Sequence, residues 1–295
     1  MSAPENPKLK ISSEMAAVRD HRRDFPAFRF VYPVISRRAK GLSLGINLNP
    51  DKRCNFNCVY CEVDRSRPGL QIQPTPESVR EELDRLVGAI REGALGRDPR
   101  FAGLDAAELT IRDFAFSGDG EPTLVPDFDR FVEAVAGTRR DCGEEQAKIV
   151  LITNAAGLDK AAVRRGLRIL DANGGEVWAK LDAGTEEHYR LVNRSFVRFQ
   201  RILDNIRRTA LERPIVIQTL FLKIRGEPMP PAEFDAYCRR LEEITAAGGR
   251  IKEIQAYTIA RPAPEPWAAR LSAEELEAFA EALRRRLGAA VGVYP

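Results

Sequence analysis

Strand and helix signals alternate six times between residues 42 and 287, and no other property of the chain restricts its fold so strongly. LSLGINL (42–48), IRDFAFSG (111–118), KIVLITN (148–154), EVWAKLD (176–182), PIVIQTLFLK (214–223) and RIKEIQAYTI (250–259) read as strands, each followed by a helical stretch. The first helix shows the logic: Thr75 can cap it, Pro76 suits its first position, and Val79, Leu83, Leu86, Val87 and Ile90 fall on one face. Strict alternation requires parallel strands joined by right-handed crossovers. Six units are too few for a closed eight-stranded barrel, so the expected fold is α/β, an incomplete (β/α)6 barrel with parallel strands and an open side left for a substrate. PIVIQTLFLK is read as one strand, and the proline-rich ARPAPEPW (260–267) as a stiff extended connector.

A chain of 295 residues suits one such barrel. We read residues 1–41 as a short basic N-terminal extension and 42–295 as the barrel domain. No run approaches the roughly 20 apolar residues that cross a bilayer, and MSAPENPKLK has no signal-peptide character, so a cytoplasmic protein without membrane contact is expected. A net charge of +3 does not indicate nucleic acid by itself. Arg19, Arg22, Arg23, Arg29, Arg37, Arg38 and Lys40 do form a basic strip, and Arg284 to Arg286 a second; each reads as a solvated surface or as a polyanion-binding face.

In parallel α/β folds, ligands gather at the carboxyl ends of the strands. CNFNCVYC follows the first strand there, with Cys54, Cys58 and Cys61 in the spacing C-x3-C-x2-C. Five cysteines make an odd number for a disulfide framework, and a cluster of three suggests metal ligands. Three thiolates can hold an iron–sulfur cubane with one iron left free, or a zinc ion with a remote fourth ligand in a zinc-stabilised binding module. Cys142, Cys238 and His188 stand isolated from the cluster, and the two cysteines read as incidental.

The motif, with Tyr60 just before its last cysteine, resembles that of the radical S-adenosylmethionine (SAM) superfamily. The resemblance implies a [4Fe-4S] cluster on three cysteines, SAM on the open iron, and an external electron donor, flavodoxin or ferredoxin. The implied reaction is reductive cleavage to a 5'-deoxyadenosyl radical that abstracts hydrogen from an unidentified substrate, with no protein group assigned as catalytic acid or base. Ser117, Gly118, Asp119, Gly120, Glu121 and Pro122 look like the family's glycine-rich motif for the methionyl amino group. Asn154 then reaches the cofactor or caps a turn. Lys180 and Asp182, two apart and so read as facing one side, pair with the methionyl carboxylate and ribose hydroxyls or with each other. Gln218, Tyr257 and Thr258 contact ribose and adenine or complete core hydrogen bonds.

RRAKGLSLGINLNPDKRC, GDGEPTL, LDAGTEEHY and YTIARPAPE are similar to an uncharacterised branch of iron–sulfur oxidoreductases near the wyosine synthases. That likeness keeps tRNA base modification open, with the basic strip as the RNA contact, although residues 1–53 lack the cysteines that hold those enzymes' second cluster. Activation of a glycyl-radical enzyme is the other enzymatic alternative.

Overall fold

The computed structural model describes Phe25, residues 28–261 and residues 263–295. Arg19, Arg22, Arg23 and Pro262 lie outside the described residues. Six parallel strands form the centre of one sheet: β2 (Gly41–Ile46), β3 (Ile111–Phe116), β4 (Lys148–Thr153), β5 (Glu176–Lys180), β6 (Ile215–Leu220) and β8 (Ile251–Tyr257). They correspond to the six expected strands and curl into a partial barrel with helices outside. The helices are α1 (Pro76–Arg91), α2 (Phe128–Asp141), α3 (Ala161–Ala172), α4 (Glu186–Asn193), α5 (Phe199–Glu212), α6 (Pro231–Ala246) and α7 (Ala273–Leu287).

Two edge strands were not anticipated. β1 (Val31–Ser36), within the stretch read as an extension, pairs antiparallel with β2, and β10 (Val291–Tyr294) pairs parallel with β8. Pro33 lacks an amide donor, which an edge strand tolerates. The expected open side is thereby narrowed: the Arg37 guanidinium, just past β1, donates to the main-chain oxygen of Pro295, just past β10.

The 214–223 stretch is divided between two sheets. β6 ends at Leu220, and β7 (Leu222–Ile224) pairs antiparallel with β9 (Ala268–Arg270) in a separate ribbon. The expected stiff connector therefore leads into a strand. Helix α4 is an additional helix between β5 and α5; Thr185 caps it by accepting from the His188 amide at 3.2 Å.

Alternation along each strand separates the two faces. Leu44, Phe114, Leu151, Val177 and Ile217 join the core beneath the helices, whereas Ala115, Val150, Trp178 and Val216 cluster inside the barrel. At the amino end of the strands Glu176 is clamped by Lys148 and Lys252, each 2.7 Å from Oε1, and by the Trp178 indole, 2.9 Å from Oε2. Burial alone would push the Glu176 carboxyl up, but these donors outweigh it and hold it down at about 2. Higher in the barrel, Gly45 and Ala115 are paired neighbours and leave space. A Cβ at position 45 would lie 2.2 Å from Tyr32 Cζ, so glycine is needed for the Tyr32 ring to cross the sheet. Among the described residues no helix is long and apolar enough to cross a membrane.

Candidate cofactor and substrate site

Small interior residues at mid-height and polar strand ends above them enclose a cavity of about 260 Å³. Cys54, Cys58 and Cys61 all line it. So do Tyr60, Ser117, Gly118, Asp119, Gly120, Glu121, Asn154, Lys180, Gln218, Tyr257 and Thr258; Pro122 and Asp182 do not. The fold thus gathers residues spread over six strand ends.

The cysteine loop is fastened at both flanks. Asn57 and Val59 donate their amides to the carbonyls of Asn193 and Val192 at the end of α4, at 3.1 and 2.9 Å. On the other flank the Asn154 amide nitrogen donates to Asn55 Oδ1 at 2.7 Å. N–H groups are aimed at every thiol: Phe56 N lies 3.4 Å and Asn154 Nδ2 3.9 Å from Cys54 Sγ, Asn193 Nδ2 3.5 Å from Cys58 Sγ, and an Arg65 nitrogen 3.9 Å from Cys61 Sγ. Donors of this kind suit thiolate sulfur bound to iron. Without metal, burial and then the Asp182 charge push the Cys58 thiol up to about 12, so its deprotonation must accompany metal binding. The donor set, three thiols on one loop with N–H groups facing them, fits a cubane. Among the described residues no three His, Cys, Asp or Glu side chains are arranged around a single ion, and His188, Cys142 and Cys238 do not line the cavity.

The glycine-rich segment serves the protein's own loops first. A Cβ on Gly120 would lie 2.0 Å from the Arg53 carbonyl, and one on Gly118 2.5 Å from Asn47 Oδ1. These glycines bring the segment against the chain that leads into the cysteines. Asn47, which the sequence reading passed over, holds it there by donating to Asp119 Oδ2 at 2.6 Å and accepting from the Asp119 amide at 3.1 Å. Glu121 is 3% exposed and accepts from the Thr123 and Thr153 hydroxyls, each at 2.6 Å, and from the Asn154 amide at 2.8 Å. Pro122 opens a short 3-10 turn, Pro122–Leu124. Ser117 shares a hydrogen bond of 3.1 Å with the Tyr32 hydroxyl.

Lys180 ends β5, and Asp182 two residues on approaches the same Tyr60, with Leu181 between them packed in the core beneath the helices. Asp182 lies past the strand, 2% exposed, and accepts from the Tyr60 hydroxyl, from Asn193 Nδ2 at 2.8 Å and from the Leu220 amide at 2.9 Å. Its oxygens serve protein donors, so it is a bolt between the cysteine loop, α4 and β6. Lys180 faces the cavity instead, with Nζ 5.4 Å from the Tyr60 ring centre and 5.7 Å from that of Tyr257. No carboxylate among the described residues lies within 4 Å of it. Burial lowers its affinity for a proton, but the neighbouring Tyr257 hydroxyl, the Asp182 charge and the Cys58 sulfur more than compensate and raise its pKa. It is a fixed cation. Thr258 is spent on the fold, donating to the Phe221 carbonyl at 2.8 Å and accepting from the Leu271 amide at 2.9 Å.

Sequence reading did not assign Arg37, Arg38, Ser43, Asp113 or Trp178 to the site, yet all line the cavity. Asp113 was legible as a carboxylate at an inward position of β3, two residues before Ala115, but only the barrel's interior shows that position facing a cavity. Burial pushes its carboxyl up to about 6 despite the Ser43 hydroxyl and the Arg38 charge. A carboxyl raised in the folded state stabilises below its ordinary value of 3.8 and loses that contribution as pH rises through about 6. Asp113→Asn should therefore gain stability relative to the parent between pH 4 and 7, by up to about 3 kcal/mol. Urea midpoints measured across that range check this; parallel curves for the two proteins would contradict it. The basic tract Arg284–Arg286 is a paired surface, with ion pairs to Glu277, Glu281, Asp235 and Glu242.

Comparison with known proteins agrees with this geometry. A UPF0026 protein of Helicobacter pylori (strain ATCC 700392 / 26695) is 26% identical over 65% of this chain and 55% of its own. A UPF0026 protein of Methanocaldococcus jannaschii is 30% identical over 55% of this chain and 43% of its own. The chain spans between 20% and 58% of the length of the curated relatives it matches. The structure of TYW1 with a lysine-pyruvate adduct bound superposes with a TM-score of 0.50 at 17% identity, covering 84% of this chain and 74% of that one, and shares the fold. The model of the radical SAM superfamily matches residues 48–223, more than half of the chain and the whole path from the cysteine loop to β7, so the protein belongs to the radical SAM superfamily.

Proposed function

We propose that the protein is an enzyme that holds a [4Fe-4S] cluster on Cys54, Cys58 and Cys61 and binds SAM against the neighbouring strand ends. Together the two groups would supply reductive cleavage of the sulfonium, giving methionine and a 5'-deoxyadenosyl radical able to take a hydrogen atom from a substrate. The observation that carries the reading is one cavity in which three thiols, each met by N–H donors, face a lysine without a carboxylate partner.

The chain's own work is binding, orientation and shielding. Asn154 and Asn193 position the loop and donate toward sulfur. Lys180 offers a fixed charge suited to the methionyl carboxylate, and Gly118 to Glu121 shape the wall that would meet the methionyl amine. Barrel walls keep bulk water from a reactive intermediate. A flavodoxin or ferredoxin is the proposed electron source.

Purification without oxygen tests this directly. The expected product is a brown protein with about four irons and four sulfides per chain that forms 5'-deoxyadenosine from SAM when reduced. A colourless, air-stable protein with about one zinc and no sulfide would instead be the zinc-stabilised module.

A further inference from the structure

The cavity holds polar groups beyond those that the proposed function uses, and they are of two kinds. Arg37 and Arg38 on the β1–β2 turn and Arg261 after β8 all line it, close enough for the charges of Arg38 and Arg261 to act on Arg37. Glu62 neutralises Arg261, and Arg37 gives one N–H to Pro295. Arg38 has no carboxylate within 4 Å among the described residues; its guanidinium lies 5.1 Å from the Tyr257 ring centre. Burial and repulsion from Arg38, Arg270 and Arg261, only partly offset by Glu62, hold Arg37 below its ordinary value. Like charges crowded together are favourable only when an anion joins them.

The other spare groups on the lining are acceptors. Gln218 is fully buried, gives its amide N–H to Gln255 Oε1 at 2.8 Å, and leaves Oε1 without a partner. Asp113 receives the Ser43 hydroxyl on Oδ1, and no hydrogen bond reaches Oδ2 among the described residues. A buried acceptor without a donor, as at Gln218, is rare and costly. Donors from a ligand would satisfy it, and would also find Asp113 on the lining of the same cavity.

We propose that, beside the cofactor, the cavity takes a small phosphomonoester, with its phosphate on Arg38 and Arg37 and hydroxyl or amino donors turned to Gln218 and Asp113. A dianionic phosphate matches adjacent guanidinium forks. This deepens the enzyme reading and rests on it, because it leaves the cysteine and glycine-loop side of the cavity to SAM.

Isothermal titration of the full chain, prepared without oxygen, against ribose 5-phosphate and ribose tests the assignment. Ribose 5-phosphate should bind at least about 100-fold more tightly than ribose, and Arg38→Gln should weaken it at least about tenfold while SAM affinity changes less than about twofold. Equal binding of the two sugars, or an unchanged affinity in Arg38→Gln, overturns the proposal. So does Arg38-dependent binding of total tRNA with no binding of ribose 5-phosphate, which would give the arginines to an RNA backbone. Iron and sulfide measured on the same sample separate the two readings. A full cluster without phosphate binding removes only this proposal; phosphate binding without a cluster removes only the cofactor reading.

Discussion

Replacing Cys58 by alanine is expected to strip the chain of iron and end 5'-deoxyadenosine formation. Two thiols cannot hold the cubane that three support, so iron should fall from about four per chain to below about one, and product to less than about 1% of the parent. The fold should survive. The loop around it is anchored independently by Asn57 and Val59 on α4 and by Asn55 on Asn154. Cys238→Ala is the matched control: that thiol is packed in the core away from the cavity, so the variant should keep its iron and product. Iron analysis, visible absorption and product chromatography on the two variants decide the matter. Retention of iron and product by Cys58→Ala, or equal loss in both variants, would contradict the ligand assignment.

Asp182→Ala should cause the largest loss of stability. One carboxylate holds the Tyr60 hydroxyl, the Asn193 amide and the Leu220 backbone amide, and its removal strands three buried donors at once. Deleting one partner from such a buried charged network costs about 3–5 kcal/mol. Its thermal midpoint should fall by about 5–15 °C. A second effect follows from the same geometry, because Asn193 also points at Cys58 Sγ and Tyr60 adjoins Cys61 in the chain. Cluster occupancy in Asp182→Ala should therefore decline more steeply with temperature than in the parent. Calorimetry gives the first quantity, and absorbance of the anaerobic protein during heating gives the second. A midpoint within about 1 °C of the parent would show that these donors find other partners.

The parts of the site that were legible in the sequence are those whose chemistry is local. Cys54, Cys58 and Cys61 share one loop, so their count and spacing alone imply metal. Gly118 to Glu121 stand out because glycines beside a carboxylate at a strand end mark a close approach, although the structure shows the glycines approaching the chain before the cysteines. Lys180 and Asp182 both approach Tyr60, while Leu181 between them packs into the core beneath the helices. Two-residue spacing gives the shared side, but not the partners that each side chain meets there. Asp182 is taken up by the Tyr60 hydroxyl and the Leu220 amide, which come from distant segments of the chain.

Short edge strands were hidden for a related reason. VYPVIS and VGVY are brief, one contains proline, and neither belongs to a strand–helix unit, so their place is set by the exposed edges of β2 and β8 rather than by their own pattern.

Sequence alone determined the six parallel units, because apolar periodicity is written in neighbouring residues and parallel strands admit few topologies. It also determined the three-thiol motif. Tertiary structure decided which polar residues share the cavity: the curl of the sheet sets Arg38 over Tyr257, residues far apart in the chain, and turns Asp113 and Gln218 inward. Such convergence depends on how strands from distant parts of the chain twist and pack, and no local stretch of residues encodes it.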